Sequence, residues 1–287
     1  MRTALGPNRA TKKPSPPAPL VSLCVVTHLT NHPFHKGRQE IVKMCLDSLI
    51  KGVKKIDHEL IIWDNASTPE FRDFLRSYKP FVFIESENVG GYNGRRGALG
   101  IARGKYACIT DDDVLFSPTW FAQQMEVIRA FPFAIANGIP RDYKAQYGPP
   151  LSLFGEYEVY QGKVIPDDWR RELKLSGIHF VDSPRYDEYL VVKDSVRAWI
   201  NVTDVQLFGE TKVLRDIHIA HYSPFLGTSG YLCEKIQSSG HAQLATFQRT
   251  AAHIGNVIDE SILKTKESMT QPPFNLDLKR MTRVKIL

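Results

Sequence analysis

The sequence lacks several features that would assign it quickly to a membrane or secreted class. It contains no run of about 18 apolar residues, so we expect no transmembrane segment. Residues 1–19 have no apolar central region of the kind that secretory signals contain. Their proline, lysine and arginine content is typical of a disordered basic tail. We therefore expect a cytoplasmic protein.

Cysteine is scarce and scattered. Cys24, Cys45, Cys108 and Cys233 form no CxxC pair, which argues against a zinc site and against a disulfide framework. Cys24 and Cys108 lie in apolar segments that read as strands. We expect the cysteines to be reduced core residues.

The familiar phosphate-binding motifs are also absent. The glycine-rich segment NVGGYNGRRG, residues 88–97, matches neither GxxxxGK[ST] nor GxGxxG, which disfavours an ATPase and a nicotinamide dehydrogenase. Its glycines would suit a tight turn and close packing of a helix on a sheet. Arg95 and Arg96 could reach a diphosphate, or they could simply be solvated.

Positive charge is concentrated at the two ends of the chain. The net charge is +6 overall, but residues 1–20 carry +4, residues 264–287 carry +4, and residues 21–263 carry −2. Basic tails can contact phosphates, so nucleic-acid contact through them is one interpretation. The simpler interpretation is that residues 1–19 are a solvated tail and residues 266–287 a basic extension.

Strands and helices alternate from residue 20 to about residue 140. The strands are short runs of apolar and β-branched residues, typical of strands buried on both faces of a parallel sheet. The polar residues that follow them should gather along one edge of the sheet, where ligands bind. The predicted strands are 20–28, 59–64, 81–86, 105–110 and 133–137, and the predicted helices are 39–50 (ended by Gly52), one capped by Ser67 and Glu70, one ending at Gly104, and 118–130.

After residue 140 the pattern is less regular. We expect a loop-rich region with a helix near residues 168–175. A strand pair is predicted over residues 205–224, ending in histidines, and a helix over residues 234–265. The segment that follows reads as extended and basic.

Three consecutive aspartates follow the fourth predicted strand. Neighbouring carboxylates repel one another, so a metal cation is the obvious partner. In extended chain, Asp111 and Asp113 would face one side together and Asp112 the other. Two carboxylates on one side suit Mg²⁺ or Mn²⁺. The alternative interpretation is an acidic turn that caps the next helix.

These segments together resemble the inverting family 2 glycosyltransferases, which have the GT-A fold. The resemblance covers about residues 20–140. It implies an α/β fold in which a Rossmann-like mixed sheet of the GT-A type is flanked by helices. Residues 20–140 would form the nucleotide-sugar-binding half, and residues 141–265 an irregular acceptor half of the same domain. The residues that carry the resemblance are Thr27, Asp64 with Asn65 and Ser67, Asn88 with Gly90 and Gly91, and Asp111 with Asp113.

The resemblance also implies roles for individual residues. The cofactor would be Mn²⁺ or Mg²⁺, held by Asp111, Asp113 and His221, with His218 the second choice for the histidine. Asp194 would be the catalytic base, although Lys193 stands where the family usually has glutamate, so Asp187 and Glu188 are rivals. The implied nucleotide-sugar ligands are Thr27, His28, Asp64, Asn65, Asn88, Gly90, Gly91, Asn93, Arg96, Asp111 and Asp112.

The implied function is metal-dependent, inverting transfer of a sugar from a nucleoside diphosphate sugar to an acceptor hydroxyl. A UDP-sugar is the expected donor, and the acceptor is left open. Two alternatives remain. The acceptor could be a modified base of DNA, gripped through the basic tails. The chain could instead be a non-catalytic nucleotide-sugar-binding scaffold.

Overall fold

A mixed β-sheet of eleven strands organises the described part of the molecule. The computed structural model describes residues 17–140, 149–166, 169, 187–218, 228–255, 265–267, 269 and 273–286. The strands are β1 Val21–Thr27, β2 His58–Asn65, β3 Val82–Ser86, β4 Tyr106–Asp111, β5 Val114–Phe116, β6 Ala134–Asn137, β7 Glu158–Gly162, β8 Glu188–Lys193, β9 Val196–Ile200, β10 Gln206–Glu210, β11 Ala242–Thr246, β12 Ala251–His253 and β13 Thr282–Arg283. The helices are α1 Arg38–Val53, α2 Pro69–Ser77, α3 Gly91–Ile101, α4 Trp120–Ala130, α5 Thr211–His218 and α6 Thr228–Ser238.

The order of the strands explains where a ligand can bind. The sheet runs β13-β7-β8-β9-β11-β6-β10-β4-β1-β2-β3, and β12 pairs separately with β5. β1 is parallel to both β2 and β4, and β10 is antiparallel to β4 and β6. The carboxyl ends of β1 to β4 therefore lie at one edge of the sheet, where α/β proteins place their ligands.

Helices cover both faces of the sheet. The first face packs on α1, α2 and α4 around a core that includes Leu23, Leu46 and Trp120. The second face packs on α3, α5 and α6 around Cys24, Leu99 and Leu214. Because β1 alternates between the two clusters, it is buried on both faces, as its uninterrupted apolar run predicts.

The elements predicted for residues 20–140 are confirmed, with three local corrections. α3 ends at Ile101, three residues before Gly104, where its end was predicted. Gly52 does not end α1, which continues to Val53. A Cβ at Gly52 would lie 2.2 Å from Trp120 Cδ1, so the glycine makes room for that indole. The N-cap of α2 is Thr68, not Ser67; the hydroxyl of Ser67 accepts a hydrogen bond from Leu29 N instead.

Three predictions for the second half are wrong or fall outside the described residues. The strand pair predicted over residues 205–224 is wrong for residues 205–218, because α5 follows β10 directly and buries Leu214 and Ile217, a helical spacing, against the sheet. Residues 219–224 lie outside the described residues. Residues 234–265 are not one helix: α6 ends at Ser238, and β11 and β12 follow. The helix predicted near residues 168–175 lies outside the described residues, apart from Trp169.

Two smaller predictions can be compared directly with the structure. Cys24, Cys45 and Cys108 are buried and unbridged, as expected, whereas the side chain of Cys233 lies outside the described part. Residues 1–16, most of the predicted basic tail, also lie outside it. Among the described helices, none combines the length and the apolar character needed to cross a bilayer.

Candidate active site

A cavity of about 310 Å³ opens at the carboxyl ends of β1, β2 and β4. This volume is at the lower end of the range typical of small-molecule sites. The cavity brings together most of the residues predicted to bind a nucleotide sugar, although they come from four separate segments. Its lining residues are Val26, Thr27, His28, Arg38, Asn65, Asn88, Gly91, Asp111, Asp112 and Asp113.

Asp64 is fully buried behind this cavity and does not line it. Its Oδ2 accepts hydrogen bonds from Arg72 Nε at 2.8 Å and from Ser67 N at 3.2 Å. The hydroxyl of Thr27 lies 3.5 Å from its Oδ1. In this structure Asp64 therefore fixes the end of β2 and the start of α2, and Arg72 neutralises its charge.

The glycine-rich turn is tied to β2 through a side chain. Asn65 Oδ1 accepts a hydrogen bond from Val89 N at 2.9 Å, and Asn88 Oδ1 accepts one from Gly90 N at 3.0 Å. Gly90 has φ 81° and ψ 155°, a conformation essentially restricted to glycine. The turn thus delivers Gly91, the first residue of α3, to the cavity wall.

Two further predicted ligands in α3 lie away from the cavity. Asn93 donates from Nδ2 to Val89 O at 2.8 Å, which supports the turn. Arg96 is exposed, and it does not line the cavity. The adjacent Arg95 is buried and points inward to Asp111 and to the carbonyl of Asp204.

The three aspartates share one cavity, which corrects the expected alternation. β4 ends at Asp111, and the chain turns at Asp112 and Asp113 before β5 begins. The period of two that holds in extended chain therefore stops at Asp111. All three side chains line the same space.

Each of the three carboxylates has a cationic or basic partner from another part of the chain. Asp111 accepts from the guanidinium of Arg95, and Asp112 accepts from the guanidinium of Arg38. Asp113 Oδ2 lies 3.2 Å from His253 Nε2 and 4.0 Å from Arg38 Nη1. These partners offset part of the repulsion among the three neighbouring carboxylates of this turn.

Burial and these partners shift the acidities in different directions. Burial raises the pKa of Asp112 to about 7, because the attraction of Arg38 offsets only part of the desolvation. Burial also raises the pKa of Asp111 despite Arg95. Asp113 is the exception: its desolvation is outweighed by His253 and Arg38, so its pKa is lowered. Asp113 is therefore the most firmly ionised of the three.

Two carboxylate oxygens are left unsatisfied at this turn. Asp112 Oδ2 and Asp113 Oδ1 are buried and have no hydrogen-bond partner in the described structure. Buried carboxylate oxygens without partners fit a hard cation such as Mg²⁺ or Mn²⁺, which needs only one or two protein carboxylates when waters and phosphates complete its shell. In the described segments no three or more His, Cys, Asp or Glu side chains converge as a complete metal site.

The histidine at the aspartates is His253, which the sequence analysis did not identify. His221, the predicted metal ligand, and the side chain of His218 lie outside the described residues. His253 ends β12, whose pairing with β5 sets it opposite Val114, next to Asp113. The sequence analysis missed this histidine because it assigned residues 234–265 to a helix, whereas residues 251–253 form β12.

The three candidate bases lie outside the aspartate cavity. Asp194 has φ 52° in the tight turn between β8 and β9. Lys193 Nζ donates to Ala130 O at the end of α4. Because β6 begins just after α4 and runs parallel to β4, that end of α4 lies at the edge opposite the aspartates. Asp194 lines a separate cavity there.

Asp187 and Glu188 also have other contacts. Asp187 Oδ2 accepts a hydrogen bond from Gln161 Nε2 at 2.8 Å and is half-buried. Glu188 is fully buried, and its Oε2 accepts from the backbone N–H groups of Val164 and Ile165. The assignment of the base to Asp194, Asp187 or Glu188 stays a prediction.

Comparison with known proteins identifies the family of the segment that supplies most of the residues lining this cavity. Residues 33–164 match the family model described as glycosyl transferase family 2. Residues 33–164 therefore belong to glycosyl transferase family 2. The match confirms the predicted family for this segment. The mixed sheet flanked by helices confirms the predicted α/β fold class.

Individual relatives of this glycosyltransferase domain cover shorter segments. The chain is 29% identical over 113 residues to an uncharacterized glycosyltransferase of Methanocaldococcus jannaschii, covering 38% of this chain and 37% of the relative. It is 37% identical over 82 residues to a poly(ribitol-phosphate) beta-glucosyltransferase of Bacillus spizizenii, covering 26% of this chain and 13% of that protein. The chain thus spans well under half the length of either relative.

Solved structures resemble the glycosyltransferase domain more distantly. The S. aureus TarS 1–349 structure superposes with a TM-score of 0.45 and 15% identity, covering 80% of this chain and 59% of that one. GalNAc-T7 with UDP, GalNAc and Mn²⁺ gives 0.49 and 12%, covering 80% and 42%. At these scores the resemblances carry no argument about substrate or mechanism.

Proposed function

We propose that this chain transfers a sugar from a nucleoside diphosphate sugar to an acceptor hydroxyl, with inversion at the sugar carbon. UDP-sugars are the expected donors. The observation that carries the proposal is the convergence of Thr27, Asn65, Gly91 and the aspartates 111–113 on one cavity, which is lined mostly by residues of the family 2 segment. The cavity has the amides, hydroxyl and carboxylates that a nucleotide and its metal would need.

The metal proposal rests on the unsatisfied oxygens of the aspartate turn. Asp112 and Asp113 would hold Mn²⁺ or Mg²⁺ through those oxygens, and His253 is placed to join Asp113. When bound, the cation would act as a Lewis acid that stabilises charge on the departing diphosphate. Asp111, with Arg95 behind it, would contact the nucleotide-sugar donor, as the family resemblance implies.

The cavity wall formed by the glycine-rich turn would fix the rest of the donor. Backbone N–H groups near Gly91 begin a helix, and such groups favour an anionic ligand. Asn65 orients this turn, so its amide supports the site rather than reading the donor directly. Asp64 is proposed to support the site in the same way, because its carboxylate is already paired with the guanidinium of Arg72.

Donor hydrolysis tests this function without knowledge of the acceptor. We expect the protein to release nucleoside diphosphate slowly from a UDP-sugar in the presence of Mn²⁺. Asp113→Asn should reduce this rate by at least about 100-fold, because it removes the most firmly ionised carboxylate at the turn. Asp73→Asn, on the exposed face of α2, is the matched control and should keep the wild-type rate.

The same assay separates the alternatives. A scaffold would bind a nucleotide sugar but release no diphosphate, with or without Mn²⁺. Full activity of Asp113→Asn would contradict the proposed role of the aspartate turn. Transfer to DNA that carries a modified base, but not to saccharides, would favour the nucleic-acid acceptor instead.

A further inference from the structure

Arg38 is the feature of the cavity that the family resemblance did not predict. Among the described residues that line the cavity, it is the single lysine or arginine. Arg95 lies behind Asp111, and Arg96 is exposed elsewhere on α3. A nucleoside diphosphate entering this cavity would bring its negative charges toward three carboxylates, so a nearby cation has a large electrostatic effect.

The structure holds the guanidinium of Arg38 in a fixed position. Arg38 is the first residue of α1 and follows Gly37, whose φ of 82° is left-handed and suits glycine. Its Nε donates to His28 O at 3.2 Å, and its Nη2 donates to Asp112 Oδ1. Only 11% of the side chain is exposed, so the group is rigid and partly desolvated.

These contacts leave part of the guanidinium unused. Arginine has five N–H donors, and the contacts of Arg38 to His28 and Asp112 use two. Nη1 lies 4.0 Å from Asp113 Oδ2, which is beyond hydrogen-bond distance. Arg38 therefore has spare donors at a cavity where the diphosphate of a donor, with its two negative charges, would need them.

We propose that Arg38 binds the diphosphate of the donor, donating from its guanidinium to a phosphate oxygen while Asp112 and His28 hold it in place. This inference rests on the proposed function. Such charge-assisted hydrogen bonds are strong, and a planar, preorganised guanidinium loses little entropy in forming them. Arg38 would supply a positive charge that does not depend on the metal.

Binding measurements with UDP and uridine, by calorimetry in EDTA and again in Mn²⁺, test this proposal. Arg38→Gln should weaken UDP binding at least about 10-fold in EDTA while changing uridine binding less than about twofold. Arg38→Lys should recover only part of the loss, since it keeps the charge but not the fork of donors. Lys43→Gln, on the exposed side of the same helix, is the matched control and should bind both ligands normally.

Some results would overturn the proposal. Equal UDP affinity in wild type and Arg38→Gln would remove it, and so would an equal loss for UDP and uridine, which would mean a purely structural role. Arg38→Gln would leave the buried carboxylate of Asp112 without its cationic partner, and the variant could fail to fold for that reason. In that case the UDP and uridine affinities of the double variant Arg38→Gln/Asp112→Asn are compared with those of Asp112→Asn alone, and the same differences are expected. A wild-type protein that binds none of UDP, GDP and TDP would instead remove the proposed function, and this inference with it.

Discussion

At the scale of single residues, Asp112 makes the stability of the protein depend on pH. Burial raises its pKa in the folded state to about 7, above the roughly 3.9 of a solvated aspartate. Between these values the folded protein keeps a proton that the unfolded chain has released. Protonation then favours folding, so the contribution of Asp112 to stability falls as the pH rises from about 4 to about 7.

Denaturant unfolding between pH 4.5 and 7 measures this effect. The free energy of unfolding of wild type minus that of Asp112→Asn should decrease with pH, by at most about 1.4 kcal/mol per pH unit for one proton. A difference for Asp112→Asn that is flat, or that rises with pH, would refute the account of its burial.

The sequence predicted the acidic residues of the site but not their partners. Asp111, Asp112 and Asp113 are visible as a run after a strand, whereas Arg38 and His253 meet them only through folding. The position of His253 beside Asp113 depends on the pairing of two three-residue strands, β5 and β12. Such short strands give almost no periodic signal, and nothing local pairs a histidine with a carboxylate in a distant segment.

At the scale of elements, the glycines of α3 show how closely that helix packs on the sheet. A Cβ at Gly97 would lie 2.1 Å from Trp63 Cζ3, and one at Gly94 would lie 2.8 Å from Val26 Cγ1. This confirms the expectation that glycines in this segment permit close helix–sheet packing. The close packing also fixes the start of α3, and therefore Gly91, at the wall of the cavity.

Alanine substitutions along α3 test this packing with an internal control. Gly97→Ala should lower the free energy of unfolding by about 1–3 kcal/mol, because the methyl group overlaps a packed indole. Gly100→Ala, on the same helix with no atom within 4 Å of its Cβ, should be neutral or stabilising by up to about 1 kcal/mol. Chemical denaturation of both variants measures the contrast, and equal effects would show that the packing is looser than the structure implies.

Elements before residue 140, apart from the three-residue strand β5, could be predicted because each of the other strands there is a short apolar run between polar turns. Later elements were harder for a physical reason. β11 and β12 are short, and the leucine and isoleucine of α5 fit a strand nearly as well as a helix. The tight turn at Asp194 likewise gives no glycine signal, because an aspartate occupies the left-handed position there.

At the scale of the whole molecule, the two sequence halves share one sheet. β10, from the second half, lies between β4 and β6 and pairs with both, and β11 extends the sheet beyond β6. The carbonyl of Val205, just before β10, accepts a hydrogen bond from Asp111 N. The segment after residue 164 therefore helps to hold the aspartate turn, although the family match ends there.

Anomalous diffraction from crystals soaked with Mn²⁺ and UDP tests the central claim most directly. The account predicts a manganese peak at coordination distance, about 2.0–2.3 Å, from a carboxylate oxygen of Asp112 or Asp113, with the diphosphate on its other side. Crystals of Asp113→Asn should show a much weaker peak. A fully bound nucleotide with no manganese at the aspartate turn, or manganese bound only elsewhere, would contradict it.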